Sequence, residues 1–190
     1  MILEQPTDYF VHPVYWGNGI VYRRSFVNSI STSVTGIEQR SVLNTLIRRG
    51  LDYSVITRTQ EESYYLKGHL RLYQHLVWGV PLWQYDMTLT VAASGTVLNV
   101  DSTSYRELVT DQELILVSDY KTYEVGTIYD WNSTQISLDS SIAVAWPIGT
   151  KVYPVLRSEM SNIQEFTFVY KHLLGIDISF VESFRGSTYS

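Results

Sequence analysis

The chain of 190 residues contains no cysteine, which excludes a disulfide framework, a thiolate metal site and a cysteine nucleophile and fits folding in a reducing cytoplasm. No stretch approaches the roughly 18 consecutive apolar residues that span a bilayer. The opening residues Met1-Ile2-Leu3-Glu4-Gln5-Pro6 lack a basic region followed by an apolar one, so neither a signal peptide nor a membrane partner is expected. Blocks of like charge are also missing. The 14 Lys and Arg against 19 Asp and Glu give a net charge of -5, a balance that argues against a phosphate-neutralising surface and hence against nucleic acid as a partner. No glycine-rich phosphate loop occurs, because Gly17-Asn18-Gly19 is too short and has no lysine and hydroxyl residue after it. Low-complexity tracts and fixed-period repeats are absent as well.

What the chain has in quantity is aromatic surface, with fifteen tyrosines and five tryptophans, large amphipathic rings of the kind that fill β-cores and protein interfaces. Its length suffices for one well-buried core, or for one domain and a small satellite. Apolar spacing sets the elements. In 19–27, Ile20, Tyr22 and Phe26 recur with Arg23 and Ser25 between them, the period of a half-buried strand. Runs at 35–47 and 51–58 flank Arg48-Arg49-Gly50 and read as a hairpin, with glycine supplying the positive φ of a tight reversal. Over 59–77 the period lengthens: Leu66, Leu70, Tyr73 and Val77 form a helical stripe, Thr59 and Glu62 match a capping box, and Gly79 with Pro81 ends the helix.

After Asp86 come short β-rich pieces at 88–91, 96–100, 113–117, 122–129, 135–138 and 151–155, separated by turn sequences at the spacing of a small sandwich or barrel. Two further alternations, Phe166/Phe168/Tyr170 and Ile176/Ile178/Phe180, close the chain. The first and last blocks each hold too few strands for a sheet, but together they supply about five strands and a helix. The expected fold is therefore mainly β: an antiparallel β-sandwich with one flanking α-helix, and an inserted small β-barrel or sandwich module. Residues 1–86 plus 158–190 form the discontinuous scaffold domain with helix 59–77, and 87–157 form the insert.

Catalytic and metal motifs are weak. Of His12, His69, His75 and His172, only His69 and His75 are close, and six residues along a helix puts them about 240° apart, not on the shared face a metal needs. No serine sits in a glycine-flanked elbow, and Glu61-Glu62 falls where acids suit a helix dipole. No enzyme activity and no cofactor are expected. Asn132-Ser133-Thr134 reads as a hairpin tip. Among Trp16, Trp78, Trp83, Trp131 and Trp146, Trp131 and Trp146 are the candidates for glycan stacking. They carry the alternative of a carbohydrate-binding module for host attachment, against the competing reading of core residues.

One constellation points elsewhere. Glu38 and Arg40 share a strand face, and Arg48, an even number of positions on, joins them if the strand stays regular, with Arg49 beside it. Such a row suits a sheet meeting another copy of the protein, where arginine–carboxylate pairs set register; a solvated face is the alternative. With Thr35-Gly36-Ile37-Glu38-Gln39-Arg40, Arg48-Arg49, the aromatic Trp78-Gly79-Val80-Pro81-Leu82-Trp83 and Ile148-Gly149-Thr150-Lys151-Val152-Tyr153-Pro154 in hand, the chain resembles tail-tip proteins of long-tailed bacteriophages, the distal tail proteins and lambda-like minor tail proteins. The resemblance implies a β-sandwich with a flanking helix that assembles with identical copies into a ring, hexameric in the usual case. That ring joins the tail tube protein to the tail hub protein or baseplate in the virion, after synthesis in the host cytoplasm. A trimeric hub component or a tail-completion protein fits the same features.

Overall fold

The computed structural model describes residues 6, 8–25, 28–32, 38–42, 48–73, 75–161, 166–170 and 173–183. The fold is mainly β, with one α-helix among the described residues. The strands are β1 (Asp8–Tyr9), β2 (Ile20–Ser25), β3 (Asn28–Thr32), β4 (Glu38–Val42) and β5 (Arg48–Ile56). The helix α1 (Gln60–Tyr73) precedes β6 (Val77–Pro81), β7 (Met87–Thr88), β8 (Val97–Asn99), β9 (Glu113–Val117), β10 (Tyr123–Trp131), β11 (Gln135–Leu138), β12 (Lys151–Met160), β13 (Phe166–Tyr170) and β14 (Leu173–Glu182).

The main sheet runs β2-β5-β14-β12-β9-β10-β11-β8, with β6 and β7 also on β12, β13 on β14, and β1 on β6. All of these pairs are antiparallel except β1 with β6. β14 shows why the register holds: Leu174, Ile176, Ile178 and Phe180 are buried while Asp177 faces outward, so a one-residue slip would expose the whole apolar row.

Two hydrophobic clusters fill the molecule. The first gathers Phe10, Leu51, Leu66, Trp78, Ile178 and Phe180, and the second Met87, Leu98, Leu114, Leu116, Ile136 and Val152. Strand alternation makes β9 and β12 a shared wall: Ile115 and Tyr153 join the first cluster, Leu114, Leu116 and Val152 the second.

Two sequence expectations are corrected. Arg48-Arg49-Gly50 is not a reversal but the start of β5, paired with Ser25, Arg24 and Arg23 of β2. The helix also ends at Tyr73, not at residue 77. Val77-Trp78-Gly79-Val80-Pro81 is apolar throughout and buried at every position, and a strand between β1 and β12 satisfies its backbone where a helix end would not. Gly79 sits under the Tyr9 ring, where a Cβ would overlap the ring carbons.

Candidate functional site

Residues 10–15 leave β1 and run between α1 and the sheet, pinned at both ends by backbone hydrogen bonds, Phe10 N–H to Gly79 O (2.9 Å) and Tyr15 N–H to Ser54 O (2.8 Å). Phe10, Val11, His12 and Val14 are buried on this path. The facing side of α1 buries Glu62, Ser63, Leu66, His69 and Leu70. Its first turn is capped by Thr59, whose Oγ1 accepts the Glu62 N–H (3.1 Å), while Glu62 Oε2 accepts the N–H of Arg58 (2.6 Å). This is the expected capping box with its return bond moved back one residue.

The two segments exchange partners crosswise. From the helix, Glu62 Oε1 lies 3.9 Å from His12 Nδ1, an ion-pair distance and too long for a hydrogen bond. In return, His69 Nε2 lies 2.8 Å from Asp8 Oδ2. The two imidazole centroids are 6.3 Å apart. Burial pulls the His12 pKa below its ordinary value and the nearby His69 adds to this, against the opposing pull of Glu62, so His12 is neutral at pH 7. Burial alone would raise Glu62; the His12 contact and the Arg58 N–H outweigh it and hold the carboxyl below the usual range, ionised.

Tyrosines surround the pairs. His12 stacks on Tyr120 with centroids 5.5 Å apart and planes 17° from parallel, and Tyr65 lies 5.2 Å from both His69 and Tyr120. Lys121 Nζ sits 5.5 Å from the Tyr65 centroid and 5.4 Å from that of Tyr120, and pairs with Glu61. Tyr123 is pushed up to about 12 by burial and by Asp8. Tyr9 donates to Glu113 (3.0 Å), whose own pKa is raised by burial.

Beside this cluster opens a cleft of about 510 Å³, lined by Glu62 and Tyr120 together with Trp83, Tyr153, Val11 and the rim residues Arg58 and Lys151. Trp83 and Tyr153 meet edge to face at 4.8 Å, so their rings pack on each other more than they present open faces. Asp86 and Thr88 already hold the Lys151 ammonium. Glu62 takes part in the helix cap through its Oε2 and its own N–H. Among the described residues no group of three His, Asp or Glu is placed to hold a metal, and His75 is exposed, away from His69. No helix of the described residues is long and apolar enough to cross a membrane.

The residues expected at a self-contact fall in different settings. Glu38 and Arg40 lie on β4, opposite Thr32 and Ile30 of β3, and Arg48 opens β5 at an exposed position; these belong to separate strands, not to one regular strand. Arg49 turns inward. Its backbone N–H and Nε reach Glu182 at 3.0 and 2.9 Å and its Nη2 at 2.5 Å, a half-buried pair that closes β5 onto β14.

The glycan-stacking expectation for Trp146 is corrected. Trp146 belongs to the second cluster, only 5% exposed, with Nε1 donating to Glu124 Oε2 at 2.7 Å, so neither ring face is open to a sugar. Trp131 packs partly buried against the same cluster. The exposed tryptophan is Trp16, in the turn before β2. The crossed pairs went unread in the sequence because their partners are far apart along the chain. The one local signal was the recurrence of an acid and a histidine on each of two short segments, Asp8 with His12 and Glu62 with His69. Comparison of the chain with protein-family models and with curated proteins returns no match in either case.

Proposed function

We propose that this chain is a structural virion protein of a long-tailed bacteriophage, assembling with identical copies into a hexameric ring at the distal end of the tail, between the tail tube protein and the hub or baseplate. Its role in this reading is architectural, with no catalysis, no cofactor and no nucleic acid. The scaffold is a β-sandwich with α1 on its flank, built from 1–86 plus 158–190, and 87–157 form an inserted β-module. Favouring that division, the second hydrophobic cluster draws only on residues between Met87 and Val152.

The observation that carries the reading is the arm. β2 and β5 pair through six positions, from Ile20 with Tyr53 to Ser25 with Arg48. Beyond them β3 and β4 pair with each other from Asn28/Val42 to Thr32/Glu38, and with no other strand among the described residues. A two-stranded ribbon is marginal by itself in water, and an open strand edge is a template for another chain. Both become stable assets when a neighbouring copy covers them, and a closed ring presents the heterologous surface needed. Glu38, Arg40 and Arg48 are the contact residues assigned to this arm, while Arg49 anchors its base.

The test is particle size. At micromolar concentration the protein should run as a discrete multimer by light scattering, and Arg40→Glu with Arg48→Glu should give a folded monomer. A wild-type monomer at every concentration, or a double variant of unchanged size, would sink the proposal.

A further inference from the structure

The crossed imidazole–carboxylate pairs are costly to bury and are not used by the assembly contact. We infer that they form a proton-sensitive latch between α1 and residues 8–14, closed at neutral pH and opened when His12 takes up a proton. The geometry makes His12 the sensitive member. It is 1% exposed and neither ring nitrogen has a hydrogen-bond partner.

The groups facing it are fixed on every side. From α1 come Glu62 at 3.9 Å, the Tyr65 ring at 5.8 Å and the His69 ring at 6.3 Å; from the turn after β9 comes the Tyr120 ring at 5.5 Å; from its own segment, Phe10 at 5.0 Å. Of these only Glu62 is an acid, and its second oxygen is held by the Arg58 N–H. The remaining charges lie one layer out. Asp8 is engaged by His69, and Lys121 stands over the Tyr65 and Tyr120 rings while paired with Glu61.

An imidazolium at this place therefore finds one partly committed acid, a second imidazole and three aromatic rings, whereas water would solvate it fully once helix and segment part. The sign follows from linkage. His12 titrates lower when the latch is closed than when it is open, so the contact is complete above the free histidine value of about 6.5 and weakens as pH falls below it, by up to about tenfold per pH unit for one proton. Glu62, held below the usual carboxylate range, contributes its own loss only at lower pH.

Amide hydrogen exchange of the full chain at pH 7.5 and 5.5, corrected for intrinsic rates, tests this. Protection over 8–14 and 60–73 should fall at pH 5.5, by at most about tenfold, the one-proton limit over one unit below 6.5, while β9 and β12 stay unchanged. His12→Phe, which fits the aromatic surroundings, should remove the pH dependence. Equal protection at both values, loss spread evenly over the whole chain, or a dependence that survives in His12→Phe overturns the latch. If that variant does not fold, the His12 ring signal of the wild-type protein decides by nuclear magnetic resonance. Its titration midpoint must lie below 6.5 and coincide with loss of helix protection, and titration without that loss refutes the inference.

Discussion

Gly79→Ala isolates the packing that holds β1 and the His12 segment in place. Gly79 is buried in β6, between Tyr9 of the parallel neighbour β1 and Arg157 of β12. An added Cβ would overlap Cδ1 and Cε1 of Tyr9 and lie 3.2 Å from Val155 Cγ1. The Tyr9 ring cannot yield freely, because its hydroxyl is bonded to Glu113 at 3.0 Å and its ring packs on Tyr123 at 6.0 Å. Overpacking of this kind costs about 1–3 kcal/mol, and losing a hydrogen bond to a charged group adds about 1.5–3 kcal/mol if the ring swings out. Against this, alanine relieves about 0.5–1 kcal/mol of glycine's entropy cost in a strand. The net expectation is a loss of about 2 kcal/mol, read as a lower urea midpoint with an unchanged slope. Tyr9→Leu shortens the side chain and removes the clash, so in that background Gly79→Ala should cost less than about 1 kcal/mol. The double-mutant cycle then shows a coupling of about 1 kcal/mol or more. If Gly79→Ala is as stable as wild type, or equally harmful with and without Tyr9, the close approach of ring and strand is not what selects glycine here.

Two further outcomes follow from the same geometry. Thr59→Ala removes the acceptor of the Glu62 N–H and should lower stability by about 1 kcal/mol; thermal unfolding by circular dichroism reads this, and Thr59→Ser should restore it. Trp146→Phe keeps the ring's apolar bulk but loses the indole bond to Glu124, so chemical denaturation should show a loss of about 1.5–3 kcal/mol, and a neutral result would mean that Glu124 finds water instead.

What could be read in the sequence was set by period. The β14 alternation of Ile176, Ile178 and Phe180, the helical stripe of Leu66 and Leu70, and strands 113–117 and 135–138 stand in the fold as spaced; β14 and α1 bury one face and leave the other wet, while 113–117 is marked by its apolar run between turn sequences and is buried on both faces. Where period is lost, local reading fails. Val77–Pro81 is apolar at all five positions, which marks burial and gives no type, so local spacing does not separate a buried strand from a helix end there. Gly50 has the composition of a turn yet lies in β5 between β2 and β14, where its lack of a side chain is tolerated. Trp146 was read by residue type alone, and its indole N–H is satisfied within the fold by Glu124. No local pattern announces Asp8 opposite His69, since that pairing exists only after β1 has joined β6 in parallel.

The latch and the arm are mechanically adjacent. β5 carries Arg48 at its first residue and ends at Ile56, and Thr57 follows directly, its Oγ1 2.6 Å from Ser63 Oγ of α1 and accepting the Leu174 N–H of β14 at 2.8 Å. Thr59, two residues further, caps the helix. One continuous stretch of backbone thus joins the base of the arm to the first turn of α1, with a single buried hydroxyl tying strand, helix and β14 together. Loosening α1 by protonation at His12 strips support from that junction, while the Arg49–Glu182 pair at the other end of β5 still holds the strand to β14. The arm base therefore has two anchors of different chemistry. The Arg49–Glu182 anchor is a permanent guanidinium charge on a carboxylate, whereas the imidazole contact weakens as pH falls below the free histidine value of about 6.5. Acidification should accordingly loosen the helix side of the arm before the β14 side, and hydrogen exchange at Glu62, whose N–H is held by the Thr59 cap, should rise at a higher pH than exchange at Arg49, whose N–H is held by Glu182. The reverse order would show that the two ends of β5 are not held as separate anchors.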